Sequence, residues 1–278
     1  MRKQISEWDG FLADSGLIEG VFDKLTPEAA YWIGFLMADG NVCKVVGTSL
    51  RIQVGLKESD RDHLVKLARF VNTPNKISGL YYGCVKLAFA SNRIAAKLAS
   101  YGVVQRKTGI EEVADARLLF DRDFWRGVID GDGSIYLQKR KGNGWRLVLA
   151  LYGASEKLLE QFLAFARKIC PDIQSTVRHG RDSLQLHING RFAFKVLHVL
   201  YEDSRTSLDR KKRKADQILR MTGLFPNGCV KKLSENSVRE IRRLRKLGTT
   251  YKQAAKKFGV AVATVQKIVN RKTWKHVA

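Results

Sequence analysis

A nine-residue pattern occurs twice in this chain. Trp32-Ile-Gly-Phe-Leu-Met-Ala-Asp-Gly40 and Trp125-Arg-Gly-Val-Ile-Asp-Gly-Asp-Gly133 carry Trp, Gly, Asp and Gly at the same four places, and 93 residues separate Asp39 from Asp132. Each copy reads as the last turns of a helix closed by glycine, the residue that takes left-handed backbone angles at least cost. Thr26 and Pro27 supply an N-cap and a first-turn proline for the first copy, and Asp121 or Asp123 can cap the second. Gly34 and Ala38 lie four residues apart on one face, as do Gly127 and Gly131, so two such helices could approach almost backbone to backbone. Asp39 and Asp132 then stand side by side at the two C-terminal ends.

A helix C-terminus is negative and like charges repel, so that is an unfavourable place for a pair of carboxylates. A divalent cation removes the conflict. Hard cations such as Mg²⁺ are held by one or two carboxylates plus phosphate oxygens and water. One Ala-Asp-Gly alone would be an ordinary solvated helix end; two matched copies favour a metal-binding pair.

The chain around the two copies repeats as well. After Gly40, Leu50, Ile52, Val54 and Leu56 alternate with Arg51, Gln53 and Lys57 at the period of a strand. A helix is expected from Ser59 to Val71, short strands at Lys76–Ser78 and Cys84–Ala90, and a helix from Asn92 to Tyr101. After Gly133 come strands near Ser134–Arg140 and Arg146–Leu151 joined at Asn143-Gly144, then a helix Glu156–Ile169. Strands near Ser175–Arg178 and Leu184–Ile188 and a helix Phe192–Tyr201 complete it. The order αββαββα therefore occurs twice, an internal duplication with the two motif helices as its seam. Helices on one face of each sheet leave Arg51, Gln53, Lys57, Tyr136, Gln138, Arg140 and Arg146 on the other. Such side chains suit the bases and phosphates of a major groove, although a solvated sheet face explains any one of them equally well.

At this point the sequence resembles the LAGLIDADG homing endonucleases, over roughly residues 25 to 216. The second copy departs from the family's letters mainly at Trp125 and Arg126; the first has Trp32, Ile33, Phe35 and Met37 in place of the usual ones. The resemblance implies that Asp39 and Asp132, the eighth letters, hold the metal, and that Asp130, the sixth, is dispensable, Met37 being its counterpart. It implies a saddle of strands on duplex DNA, with basic or polar side chains near the metals; Lys86 in one half and Gln185 or His187 in the other are the candidates. Val103-Val-Gln-Arg-Lys107-Thr and Leu208-Asp-Arg-Lys211-Lys-Arg-Lys214 resemble the family's basic segments after each unit, where Lys107 and Lys211 would contact the DNA backbone. A solvated linker is the alternative.

Charge supports a polyanionic partner. The net charge is +23, and residues 205–278 hold 21 Lys or Arg against 4 acids. No apolar run of membrane-spanning length, lipidation motif or signal peptide is found, so an intracellular, non-secreted protein is expected. The cysteines Cys43, Cys84, Cys170 and Cys229 form no metal-binding pair, and the histidines lack ligand spacing. Near the end, Ser234 would cap a helix Glu235–Leu247 closed by Gly248, Thr250 would start Tyr251–Phe258, and Ala263–Asn270 would follow Gly259. Ala254, Ala255, Val260, Val265 and Ile268 are spaced as the core of a helix-turn-helix, presenting Thr264, Gln266, Lys267 and Arg271 to a groove.

The expected fold is α+β: two pseudosymmetric αββαββα units (25–117 and 118–216) forming a DNA-binding saddle, plus a small all-α helix-turn-helix domain at 233–278. Residues 1–24 are an extension, with a helix possible around Phe11 to Phe22, and 217–232 a linker containing Gly223 to Gly228. The resemblance implies a monomeric, Mg²⁺-dependent endonuclease making a double-strand break with short 3′ overhangs in a long asymmetric site. Mn²⁺ would substitute, and Ca²⁺ would support binding only. A catalytically inactive regulator resembling WhiA, or a maturase acting on intron RNA, are the other readings; an intein is not expected.

Overall fold

The computed structural model describes residues 16–45, 47–73, 77–81, 83–139, 145–221, 233, 235–274 and 277. Expectations placed on Ser234, Arg140, Asn143-Gly144, the Gly223 to Gly228 linker and residues 1–15 lie outside them.

The first unit runs α1 (Pro27–Asp39), β1 (Gly40–Lys44), β2 (Leu50–Lys57), α2 (Arg61–Phe70), β3 (Ile77–Tyr81), β4 (Cys84–Ala90) and α3 (Asn92–Ser100). The second runs α4 (Arg122–Asp132), β5 (Gly133–Lys139), β6 (Trp145–Gly153), α5 (Glu156–Ile169), β7 (Arg178–His179), β8 (Leu184–Asn189) and α6 (Gly190–Tyr201). Both units form a four-stranded antiparallel sheet with the same strand order, β1-β2-β4-β3 and β5-β6-β8-β7. The repeat read from the sequence is therefore a repeat of topology.

Caps explain where the motif helices start. The Thr26 hydroxyl accepts a hydrogen bond from Ala29 N at 3.1 Å, and the Asp121 carboxylate accepts one from Phe124 N at 2.8 Å. Asp123 instead binds the guanidinium of Arg126. At the other end the glycines differ from expectation. Gly40 (φ −77°) and Gly133 (φ −85°) are extended, each opening a strand. Space is the reason for glycine: a Cβ would lie 2.6 Å from Leu36 O at Gly40 and 2.5 Å from Ile129 O at Gly133.

The seam is closer than ordinary helix packing. A Cβ on Gly34 would lie 2.0 Å from Phe124 O, and one on Gly127 2.1 Å from Tyr31 O. Trp32 and Trp125 are fully buried beside it, within one core that spans both units. Residues 16–22 form turns rather than a helix, and Phe22 is buried in that core, with Tyr101 donating its hydroxyl proton to Phe22 O at 2.9 Å.

The basic segment after the second unit is no solvated linker but a helix, α7 (Asp209–Arg220), with Lys211, Ala215 and Ile218 buried. It reaches the first unit: Lys66 Nζ donates to Asp209 Oδ1 at 2.5 Å, and Arg210 Nε to Asp60 Oδ2 at 2.9 Å. That bond occupies Asp60, which gives α2 no side-chain cap. Beyond it, α8 (Glu235–Lys246), α9 (Tyr251–Phe258) and α10 (Val262–Val269) have a separate small core of Val238, Ile241, Ala254, Ala255, Val265, Ile268 and Val277. Thr250 and Gln253 form a reciprocal capping box at α9, and Gly259 ends it at φ 62°, a left-handed angle suited to glycine.

Candidate active site and nucleic-acid interface

Asp39 and Asp132 are the last residues of α1 and α4, and the backbone contact along the seam brings these ends together. The position a Cβ would take on Gly131 is 3.3 Å from Asp39 Oδ2. Burial raises the pKa of both acids. For Asp132 the value is about 6, through burial first and the Asp39 charge second. The pull back down comes from Lys107 and Lys211.

These two lysines are the main correction at this site. Neither projects toward solvent as a backbone-contacting residue would: Lys107 is 9% and Lys211 5% exposed. Lys107 Nζ donates to Ala38 O at 3.0 Å. Lys211 Nζ donates to the carbonyls of Ile129, Asp130 and Gly133 at 2.7 Å and of Gly131 at 3.1 Å. An ammonium on the carbonyls at a helix C-terminus is favourable for the helix dipole, and it gives each buried lysine hydrogen-bond partners. Burial lowers both pKa values, that of Lys211 to about 8. The sequence located these lysines but not their partners, because the carbonyls belong to helices 69 to 82 positions upstream. Asp130 is corrected as well. It is 1% exposed and accepts from Tyr31, Tyr201 and Leu208 N, so it is not a dispensable letter.

The strand register resolves Lys86, Gln185 and His187. Gly40 faces Val54, which faces Leu87; Gly133 faces Leu151, which faces Leu186. One row toward the acids, Lys86 faces Gly55 and Gln185 faces Tyr152. Lys86 and Gln185 therefore occupy equivalent places, each two strands from its acid, about 10 Å at ~4.8 Å per strand. His187 faces Ala150, on the same face but further along the sheet.

Alternation places Arg51, Gln53 and Lys57 on the first sheet's face away from Ile52 and Val54, which are in the core. Tyr136, Gln138 and Arg146 lie on the corresponding face of the second, where the Arg146 guanidinium donates to Gln138 Oε1 across the strands. Arg51 Nε, Arg146 Nε and His187 Nε2 are buried without a hydrogen-bond partner. In α10 and just after it, Gln266, Lys267 and Arg271 are exposed and Thr264 is half-buried. Arg239, Arg242, Arg243, Arg245, Lys246 and Arg271 line a cleft of about 550 Å³ between α8 and the end of α10. Cys43, Cys84 and Cys170 are free thiols. Among the described residues no helix is long and apolar enough to cross a membrane.

No protein-family model matches the sequence, and no curated protein matches it. Solved structures do match the fold. The LAGLIDADG meganuclease I-AabMI bound to uncleaved DNA aligns over 80% of this chain and 98% of its own, at 12% identity and a TM-score of 0.51. The meganuclease I-SmaMI, bound to DNA with a TTGT central four, aligns over 81% and 99%, at 15% identity and a TM-score of 0.50. Two sheets of one topology, joined along a glycine seam that ends in paired acids, give this chain the LAGLIDADG meganuclease fold.

Proposed function

We propose that this chain is a site-specific DNA endonuclease in which Asp39 and Asp132 hold divalent cations. The observation that carries the reading is the pair itself: two carboxylates side by side at the negative ends of two helices, each with its pKa raised. The donor set fits a hard cation. Among the described residues no three or more His, Cys, Asp or Glu cluster, so the cation's further ligands would be phosphate oxygens and water, as Mg²⁺ accepts. When bound, the cation supplies charge to polarise a phosphate and acidify a water.

The chain's own residues do the positioning. Lys107 and Lys211 set positive charge beside the acids and offset part of the negative charge a phosphodiester brings. Lys86 and Gln185 flank the same rows. Arg51, Gln53, Lys57, Tyr136, Gln138 and Arg146 would read a groove, and Arg140 would extend that set. No side chain is required as nucleophile. Both acids lie in one chain, so a monomer suffices and the site read can be asymmetric. The three-helix tail is read as a helix-turn-helix that extends the footprint through Thr264, Gln266, Lys267 and Arg271.

The test is a two-stage selection. Fragmented host DNA is captured in Ca²⁺, the cation is exchanged for Mg²⁺, and new ends are sequenced. Discrete ends with a fixed 3′ overhang, absent for Asp132→Asn, are expected. Specific capture without cutting would instead indicate a regulator, and neither would direct the search to folded RNA.

A further inference from the structure

Asp130 has no counterpart in the first motif helix, where Met37 stands. Its Oδ1 accepts from Tyr201 OH at 2.5 Å, and its Oδ2 from Tyr31 OH at 2.8 Å and Leu208 N at 2.7 Å. The Tyr31 hydroxyl is also hydrogen-bonded with His63 Nε2 at 2.9 Å. A buried carboxylate holding three donors is costly to assemble and costly to break. The third donor is informative. Leu208 is the N-cap residue of α7 and offers no side-chain cap of its own. Its N–H is held by Asp130, and one turn later Lys211 places its ammonium on the carbonyl end of α4, beside Asp132 and Asp39. The ties of α7 through Lys66 and Arg210 run instead to the first unit.

We propose that Asp130 is a positioning residue: it fixes the start of α7 against the second motif helix and so sets where the Lys211 ammonium stands. The consequence for catalysis rests on the nuclease reading; the consequence for Lys211 does not. Because the first unit has Met37 instead, the effect is one-sided. Loss of Asp130 displaces Lys211 and leaves Lys107, which is held by Ala38 O, in place.

The experiment uses the full chain and two readouts. Labelling with an acetylating N-hydroxysuccinimide ester, followed by mass spectrometry, reports access to each lysine. Asp130→Ala should raise labelling of Lys211 several-fold with Lys107 unchanged, and Asp130→Asn, which keeps the volume, serves if the alanine variant does not fold. Equal labelling of Lys211 in wild type and variant overturns the proposal. In strand-resolved cleavage at saturating enzyme, the variant should cut one strand about tenfold more slowly and the other normally, with DNA affinity in Ca²⁺ unchanged. A uniform loss on both strands means Asp130 only stabilises the fold, and overturns the proposal. The double variant Asp130→Asn with Lys211→Met should cut no more slowly than Lys211→Met alone; an additive loss also overturns it. If the wild type does not cut, the nuclease reading falls and the labelling result still decides.

Discussion

At the scale of single residues, the acids at the ends of the motif helices are held where charge is disfavoured. Because burial raises both pKa values, and the Asp39 charge raises that of Asp132 further, the fold binds more protons here than the unfolded chain does. Their contribution to stability is therefore present below the ordinary carboxylate value near 4 and is lost as pH rises through about 6 at Asp132. The charges facing them are Lys107, Lys211 and Arg210 on one side and Glu111 and Asp60 on the other. A divalent cation should thus raise the melting temperature little at pH 5 and increasingly toward pH 8; a gain independent of pH would contradict the assignment. Asp132→Asn should abolish cleavage while raising the stability of the metal-free protein, on the order of 2 kcal/mol. Both effects are read from one preparation, by plasmid cleavage and by urea unfolding. The pairing of these acids was legible because it depends only on spacing. The lysines beside them were legible only as charge, since burial against a helix end 69 to 82 positions upstream leaves no local mark.

Among the elements, the seam between α1 and α4 and the strap α7 matter most. A methyl group on Gly127 would meet backbone atoms at 2.1 and 2.6 Å, which flexible side chains cannot relieve. Gly127→Ala should therefore cost about 3 kcal/mol or more by denaturant titration. Gly55→Ala, whose methyl meets nothing nearer than Lys86 Cγ at 3.5 Å, should be nearly neutral and serves as the control. Equal losses at both positions would mean the helices can separate without penalty. The sequence announced this seam through Gly34, Ala38, Gly127 and Gly131, whose spacing puts them on one face. It also placed α5 and β4 to the residue, because Glu156–Ile169 has its own cap and apolar stripe and Cys84–Ala90 its own run. It missed α7. Five basic residues from Arg210 to Lys214 look solvated, and only the three-dimensional neighbours of Lys211 and Ala215 give that helix an inner face.

The whole molecule joins a duplicated body to a basic tail with a core of its own. Most of the net charge lies from residue 205 onward. Removing residues 229–278 should weaken DNA binding and flatten its salt dependence, because every phosphate the tail no longer neutralises takes about 0.9 off the logarithmic slope. Binding titrations at several salt concentrations check this, and an unchanged slope would assign the tail another role. The duplicated body carries a different consequence. Where two helices meet through backbone atoms and a single methyl group, that of Ala38 against Gly131, almost no side chain is left for a substitution to trim, and any larger one forces the helices apart. The seam is a caliper whose jaws are Asp39 and Asp132. On the nuclease reading proposed above, substitutions across the sheet faces change which sequence is read, while the spacing of the two acids stays fixed by the seam.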